Sequence, residues 1–299
     1  MIDNEAMKEK LKIKDFINLI KYKINFNKEN PNYFYPEGLT CFTGKQGSGK
    51  TYKAVCYTYK LLEKYPKSKL ITNIQLKDYP IVTYEEYKKQ NIESYNKYKE
   101  IHKEKTEDIF YEVYKKNNRV FEFLNNDDFL KYQNEKEGLI FLVDEIQLYM
   151  NSLESKNINL DVIKQLSQQR KQRIHIVCTS QVFGRMAKPL REQFDTVVLC
   201  RCILGTIIKA LEIDRDSIEG DTTSLTVQGT VKNKYTCFLN PEYFKRYDTY
   251  YVIERNKSNF TSGEKQKDIY TDNPIEITTE KPKKKGAKDD EHRNINNHN

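Results

Sequence analysis

The residues Gly44-Lys45-Gln46-Gly47-Ser48-Gly49-Lys50-Thr51 match the G-x-x-x-x-G-K-[ST] pattern of a phosphate-binding loop. In such a loop, glycines let consecutive backbone N–H groups curl around phosphate oxygens, and the N-terminus of the next helix adds partial positive charge. The flanking sequence fits, because the apolar segment 39–43 predicts a strand and the residues from about 49 to 65 predict a helix. The chain has only 11 glycines, and their concentration here disfavours the alternative of an ordinary strand–helix turn.

This loop predicts a binding site for a nucleoside triphosphate with Mg²⁺. We expect Lys50 to meet the β- and γ-phosphates and the Thr51 hydroxyl to hold the metal ion. The rest of the loop, together with the residue that follows it, is predicted to contact the nucleotide: Gly44, Lys45, Gln46, Gly47, Ser48, Gly49 and Tyr52.

Two adjacent acids follow the most apolar run of the chain. Residues 139–143 predict a buried strand, and Asp144 and Glu145 come directly after it. Ligands of open parallel sheets lie at the carboxyl ends of the strands, so we expect Asp144 to bind Mg²⁺, directly or through water. Glu145 would polarise the water that attacks the γ-phosphate, which favours an ATP-hydrolysing motor over a GTPase switch or a nucleoside kinase. The alternative is that the two acids cap the next helix.

A polar strand end supplies a third candidate. Residues 174–179 predict a strand, and Gln181 follows it closely. In a P-loop fold with a catalytic glutamate, this strand would lie between the two motif strands. Its amide could reach the γ-phosphate or the attacking water. The alternative is a loop amide that bonds to the backbone.

A basic segment precedes this strand, at the end of a helix predicted over about 158–172. We interpret Arg170 as an arginine finger that reaches the ATP of a neighbouring subunit. Three other arginines compete for that role, namely Arg173, Arg185 and Arg191. A basic helix C-terminus is also ordinary capping chemistry, so a purely structural role is the alternative.

The order of the predicted elements indicates an α/β fold with a mainly parallel sheet, helices on its faces and a C-terminal antiparallel extension. We expect an amphipathic helix within 1–36, an ATPase domain over 37–255 and a disordered polar, basic tail over 256–299. Two features interrupt the domain. A Tyr- and Lys-rich helical insertion is predicted at about 76–136, and a β-hairpin extension at about 206–239, with a turn near 231–233.

Composition excludes some classes of protein and leaves others open. The 299 residues are 37% hydrophobic, too many for a wholly disordered chain. Neither a run of eighteen apolar residues nor a secretory signal is visible in the sequence. The net charge of +8 suits a polyanionic partner, although 31% of all residues are charged and much of that charge is solvated surface. The scattered cysteines, six in number, fit a reduced cytosolic protein.

With these motifs in hand, the sequence resembles the zonular occludens toxin (Zot) family, within the FtsK–HerA superfamily of P-loop ATPases. The resemblance is carried by the phosphate loop and by four short segments: Ile71-Thr72-Asn73-Ile74, Leu142-Val143-Asp144-Glu145, Leu166-Ser167-Gln168-Gln169-Arg170-Lys171 and Thr179-Ser180-Gln181. Tyr247-Asp248-Thr249-Tyr250 also resembles a family ending.

The resemblance implies a RecA- or FtsK–HerA-like ATPase of phage or plasmid origin that packages DNA, single- or double-stranded, as a homo-oligomeric, hexameric ring. It also implies a capsid or assembly protein as partner, and the host cytoplasm as location with transient docking on a virion or portal. Family members that assemble filamentous phage carry a transmembrane helix after the ATPase domain, which this sequence lacks, so soluble packaging is favoured over export. The alternatives are an ATPase for virion assembly or export, and an ATP-dependent assembly switch without DNA translocation.

Overall fold

Short apolar segments separated by helices form one eight-stranded sheet in the computed structural model of the chain, which describes residues 12–218 and 229–247. The strands are β1 (Gly38–Thr43), β2 (Lys69–Thr72), β3 (Val120–Glu122), β4 (Leu139–Val143), β5 (Ile174–Ser180), β6 (Phe194–Ile203), β7 (Ile207–Ile213) and β8 (Val231–Phe238). The helices within the described residues are α1 (Ile13–Glu29), α2 (Lys50–Lys64), α3 (Tyr84–Gln90), α4 (Ile92–His102), α5 (Thr106–Asn117), α6 (Asp128–Lys131), α7 (Leu160–Ser167), α8 (Lys188–Arg191) and α9 (Pro241–Phe244).

The strand order is β3-β2-β4-β5-β1-β6-β7-β8. All pairs from β3 to β6 are parallel, and β7 and β8 extend the sheet in the antiparallel sense. The predicted α/β P-loop fold is therefore confirmed. The strand that ends before Gln181 lies between the two motif strands, β1 and β4, as the sequence predicts.

The centre of the sheet is buried on both faces, since every residue of β1, β4 and β5 is buried. Side chains alternate along a strand, so Leu39 and Cys41 pack into one core while Phe42 packs into the other. Helix α2 covers the second core with an apolar face that includes Val55 and Leu62. It ends at Lys64 because Tyr65 precedes Pro66, and the residue before a proline avoids helical conformation.

The predicted helical insertion differs from expectation at its C-terminal end. Most of the segment is helical in α3, α4 and α5, and tyrosines of α3 and α4 surround Phe110 of α5. Residues Val120–Glu122, however, form the edge strand β3 beside β2. The last part of 76–136 is thus a piece of the sheet, and most of the tyrosines serve the insertion's own packing.

Two boundaries also need correction. The helix predicted over 158–172 ends at Ser167, because the polar residues 168–172 supply no apolar side chain to continue its buried face, and Arg170 stands in a turn. The residues near 231–233 begin β8 instead of forming a turn, since they pair with the end of β7. The N-terminal helix, predicted within 1–36, spans Ile13–Glu29.

Residues 1–11, 219–228 and 248–299 lie outside the described part of the chain. The predicted tail over 256–299 and most of Tyr247-Asp248-Thr249-Tyr250 fall there. Among the helices that the structure describes, none has the length and apolar character that crossing a bilayer requires.

Candidate functional site

The phosphate loop leaves the carboxyl end of β1 and enters α2. The Gly44 N–H donates to the Ser180 carbonyl at 3.2 Å, which attaches the start of the loop to β5. At the other end, Gly49 has φ +83°, and a Cβ there would stand 2.4 Å from Cδ1 of Ile208. Only glycine fits that backbone and that contact. The loop geometry therefore depends on Gly49 and on the packing of β7 against it.

The loop offers polar groups to a ligand at its concave surface. Lys45, Gln46 and Gly47 are exposed, whereas Ser48 is buried. The Ser48 hydroxyl has no hydrogen-bond partner among residues 12–218 and 229–247. A buried hydroxyl without a partner is costly, and a phosphate oxygen in the loop would satisfy it.

Thr51 and Asp144 contact each other beside the loop. The Thr51 hydroxyl donates to Oδ1 of Asp144 at 2.9 Å, and the Thr179 hydroxyl donates to the same oxygen at 2.5 Å. Burial raises the pKa of Asp144, and the two hydroxyl donors oppose that effect. Hydroxyl and carboxylate oxygens are the ligands that Mg²⁺ prefers, so Thr51 and Asp144 fit this ion.

Asn73 holds the backbone of Asp144, a role that the sequence did not reveal. Its side-chain oxygen accepts the Asp144 N–H at 2.8 Å, and its amide nitrogen donates to the Asp144 carbonyl at 3.0 Å. The same amide also donates to the Tyr149 hydroxyl at 3.2 Å. One feature of the sequence could have indicated this role: Asn73 directly follows β2, as Asp144 directly follows β4. The carboxyl ends of neighbouring parallel strands lie at the same edge of the sheet, so the two residues are expected to lie close together.

Glu145 contacts two of the other predicted catalytic residues, Lys50 and Gln181. Its Oε1 lies 2.9 Å from Nζ of Lys50 and accepts from the Gln181 amide at 3.1 Å. Its Oε2 accepts from the Gln147 amide, which the sequence analysis missed. Glu145 has φ +51°, an uncommon conformation for a side chain-bearing residue that is often found at functional sites. Its N–H donates to the Thr179 hydroxyl at 2.9 Å, which links it to Asp144.

A cavity of about 440 Å³ adjoins these groups. Its lining includes the loop residues Gln46, Gly47, Gly49, Lys50 and Thr51 with Asn73 and Asp144, and also Tyr52, Ile74, Cys202, Gly205, Leu239, Phe244 and Tyr247. Tyr52 therefore borders the cavity, and its contact with the nucleotide stays a prediction. Residues between Cys202 and Tyr247 supply much of the remaining wall.

Arg170 does not join this cluster. Its guanidinium pairs with Glu37 at 2.7 Å, directly before β1, so it lies at the amino end of the sheet. Arg173 lies there too, with its guanidinium 4.4 Å from the centre of the Tyr33 ring. Arg185 is exposed in the segment after β5, and Arg191 ends α8 shortly before β6.

Solved structures similar to this chain include a bacterial toxin domain and two viral packaging enzymes. The N-terminal domain of zonular occludens toxin from Neisseria meningitidis shares 16% identity at a TM-score of 0.40, covering 72% of this chain and 100% of that one. The genome packaging NTPase B204 from Sulfolobus turreted icosahedral virus 2, in complex with ATP-gammaS, shares 13% identity at 0.41, covering 65% and 96%. B204, the DNA-packaging ATPase from Sulfolobus turreted icosahedral virus, shares 13% identity at 0.40, covering 64% and 96%.

No curated protein sequence matches this chain. The family model described as zonular occludens toxin (Zot) matches residues 39–207, a range that contains the phosphate loop, Asn73, the two acids and Gln181. The match covers more than half of the chain and agrees with the fold and the clustered site: the chain is a P-loop NTPase that belongs to the zonular occludens toxin family.

Proposed function

We propose that the protein is an ATP-hydrolysing nucleic-acid translocase, a phage genome-packaging ATPase that acts as a ring with Mg-ATP at its subunit interfaces. The observation that carries the hydrolytic part is the cluster of Lys50, Glu145 and Gln181 beside Thr51 and Asp144. This cluster places a cation, a base and an amide at the mouth of a phosphate loop, which is the set that phosphoryl transfer to water requires.

The chemistry follows from those positions. The loop N–H groups and Lys50 hold the β- and γ-phosphates of ATP, and Thr51 with Asp144 would hold Mg²⁺, which neutralises charge on the phosphate oxygens. Glu145 accepts a proton from the attacking water as the water oxygen bonds to the γ-phosphorus and the bond to ADP breaks. The Gln181 amide orients Glu145 and is within reach of the same water.

The Lys50–Glu145 pair makes this base dependent on the nucleotide. Both side chains are largely buried, so the carboxylate and the ammonium interact strongly. When a triphosphate binds Lys50, the Glu145 carboxylate loses this ion pair. It then interacts with the amides of Gln147 and Gln181 and with water. Binding of substrate thus creates the free base that its hydrolysis needs.

The ring interpretation is supported by the position of Arg170. The phosphate loop lies at the carboxyl end of β1, and Arg170 pairs with Glu37 at the amino end. If Arg170 is the finger, it acts on the ATP of a neighbouring subunit. A closed ring gives every site such a neighbour, and we propose a hexamer.

The nucleic-acid part is supported by positive charge on one face of β6, β7 and β8. Arg201 in β6 is paired with Lys209 in β7. Lys234 in β8 is paired with Leu211, two residues after Lys209, and therefore lies on the same face of the sheet. All three side chains are exposed. Together with the net charge of +8, they make this face suited to phosphate backbones. We place the activity in the host cytoplasm, with docking on a virion or portal.

ATPase turnover with and without DNA tests the proposal. We expect several-fold stimulation by single- or double-stranded DNA, and a native mass that corresponds to six subunits. Arg201→Glu combined with Lys209→Glu should reduce the stimulation, whereas Lys164→Glu, a charge reversal on the exposed side of α7, should not. Turnover that neither form of DNA changes would contradict translocation and favour an assembly switch.

A further inference from the structure

The cavity beside the phosphate loop has a second wall that phosphate binding does not explain. Five residues that lie between the end of β6 and Tyr247 form it, and we call them the C-terminal wall: Cys202, Gly205, Leu239, Phe244 and Tyr247. Lys50, Thr51 and Asp144 account for the opposite, phosphate end. At about 440 Å³, the cavity has the size of a small-molecule site.

The wall is held in place by its attachment to α2 and to the segment after β2. The Asn240 N–H donates to the Tyr52 hydroxyl at 2.9 Å, and the Tyr59 hydroxyl donates to the Arg246 carbonyl at 3.1 Å. The Lys77 N–H donates to that same carbonyl at 2.8 Å. The segment from Asn240 to Arg246 is therefore fixed at both ends, and Phe244 between them is presented on a rigid support.

Phe244 is the aromatic face that this support offers. Its ring centre lies 5.1 Å from that of Tyr52, and 39% of the residue remains exposed. Tyr243 contacts the Tyr52 ring as well, at 6.1 Å, yet it is not part of the cavity lining. An exposed aromatic ring at the edge of a mostly apolar pocket is suited to stacking on a planar base.

The wall has few hydrogen-bonding side chains. Among the described residues that form it, the hydrogen-bonding side chains are the Cys202 thiol, a weak donor, and the Tyr247 hydroxyl. A hydroxyl can donate to the O6 of guanine or accept from the N6 of adenine. Strong discrimination between related ligands requires buried polar groups that the wrong ligand leaves unpaired, and this wall lacks an amide or a carboxylate that could act in that way.

We propose that the C-terminal wall is the nucleobase pocket, that Phe244 stacks on the base, and that the pocket accepts adenine and guanine with similar affinity. This inference rests on the proposed function only in placing a triphosphate in the loop. It makes the protein a purine nucleoside triphosphatase with low base specificity, in which stacking supplies affinity and the loop supplies orientation.

Binding of ATP, GTP and inorganic tripolyphosphate to the full chain, measured by calorimetry, tests the proposal. We expect ATP and GTP to bind within about threefold of each other, since the wall's hydrogen-bonding side chains are the weak Cys202 thiol and the Tyr247 hydroxyl, which can either donate or accept. Phe244→Ala should weaken both nucleotides by about tenfold or more, the range of one lost stacking contact, and leave tripolyphosphate affinity unchanged. Phe244→Trp should retain nucleotide affinity, and Tyr243→Ala is the matched control that should behave as the wild type.

Three outcomes would overturn the inference. One is a preference of more than about tenfold for ATP over GTP, and another is nucleotide affinity that Phe244→Ala does not change. The third is equal loss of tripolyphosphate and nucleotide in Phe244→Ala, which would show damage to the whole site. Failure of the phosphate-loop assignment is recognised separately, because tripolyphosphate binding would then be insensitive to Lys50→Ala.

Discussion

The ammonium of Lys50 and the carboxylate of Glu145 lie 2.9 Å apart, and the two side chains expose only 8% and 14% of their surface. The two residues come from different motifs, and β1 and β4 bring them together only because β5 separates those strands by one position. Breaking a buried pair by removing one partner leaves a charge without compensation. Substitution of either residue therefore affects the other.

Lys50→Ala should abolish hydrolysis and strongly weaken ATP binding, because the loop loses its fixed cation at the transferred phosphate. Steady-state ATPase turnover and ATP binding measure the two effects. Lys53→Ala is a suitable control, since Lys53 lies in the next turn of α2 near the Cys237 thiol and outside the cavity lining. Unchanged turnover in Lys50→Ala would contradict the phosphate-loop assignment.

Glu145→Gln should bind Mg-ATP at least as tightly as the wild type and hydrolyse it about 10²–10⁴-fold more slowly. The amide keeps the shape of the side chain but cannot take a proton from water, and it competes less with the phosphates for Lys50. Single-turnover hydrolysis and ATP affinity separate the two effects. Turnover of Asp144→Asn is measured for comparison. If Glu145→Gln turned over normally while Asp144→Asn did not, Glu145 would be only a helix-capping acid.

Arg170→Ala should bind ATP normally and lose about 10³-fold or more in turnover if Arg170 is the finger. Glu37→Gln provides the control, because it removes the ion pair within the subunit and keeps the arginine charge. We expect Glu37→Gln to retain turnover. Equal losses in both variants would indicate that the pair only stabilises the amino end of the sheet.

Mixing the Arg170→Ala and Glu145→Gln proteins should restore part of the activity. In a mixed ring, some interfaces combine an intact Glu145 from one subunit with an intact Arg170 from its neighbour. ATPase turnover is measured across mixing ratios, with the mixed mass verified. A verified mixture without any recovery would favour a finger within the subunit or one of the rivals Arg173, Arg185 and Arg191.

His175 should make the stability of the fold depend on pH. Burial lowers its pKa from 6.5 to about 4, while its ring bonds to the Tyr57 hydroxyl and the Glu37 carbonyl at 3.1 Å each. The unfolded chain takes up a proton below pH 6.5 that the folded protein does not take up until about pH 4. The contribution of the neutral His175 ring to the free energy of unfolding is therefore complete above pH 6.5. It is lost as the pH falls toward 4, by about 3 kcal/mol in total.

Urea unfolding at about pH 7 and at about pH 4.5, on either side of most of that titration, measures this dependence. The wild type should lose more unfolding free energy between the two values than His175→Gln does. His102→Gln, at the end of α4, is the control and should keep the wild-type difference. Equal differences in the wild type and in His175→Gln would assign the acid sensitivity to other groups.

The parts of the site that the sequence predicts are those whose residues adjoin one another in the chain. The phosphate loop and the two acids each form one continuous motif, and strand propensity on either side is enough to place them at the edge of a sheet. Asn73 and Thr179 act on Asp144 from two other strands, so their roles depend on strand order, which no local pattern encodes. Gln147 lies in a short helical turn that begins after Glu145, and Glu145 itself has a left-handed conformation, which its residue type does not predict.

The errors in the predicted fold have a similar origin. Strand β3 is three residues long and lies in a polar surrounding, so it produces no measurable alternation, and its strand character comes from pairing with β2. Helix α7 ends where apolar side chains end, although the next residues are good helix formers. The partner of Arg170 is Glu37, far earlier in the chain, and only the assembled sheet brings the two together.

The central position of β1 has a consequence for the order in which the protein folds. β1 pairs with β5 on one side and with β6 on the other. Gly38 is paired with His175, and Thr40 with Thr196, so β1 cannot complete its hydrogen bonds until these later residues are present. Contacts between such distant segments close large loops and form slowly. During synthesis the nucleotide-binding motif is among the first parts of the domain to leave the ribosome, yet it is among the last to be held in shape. A nascent chain that stops before Ile174 contains the entire phosphate-binding sequence. It contains neither β5 nor β6, the two strands that flank β1 in the sheet.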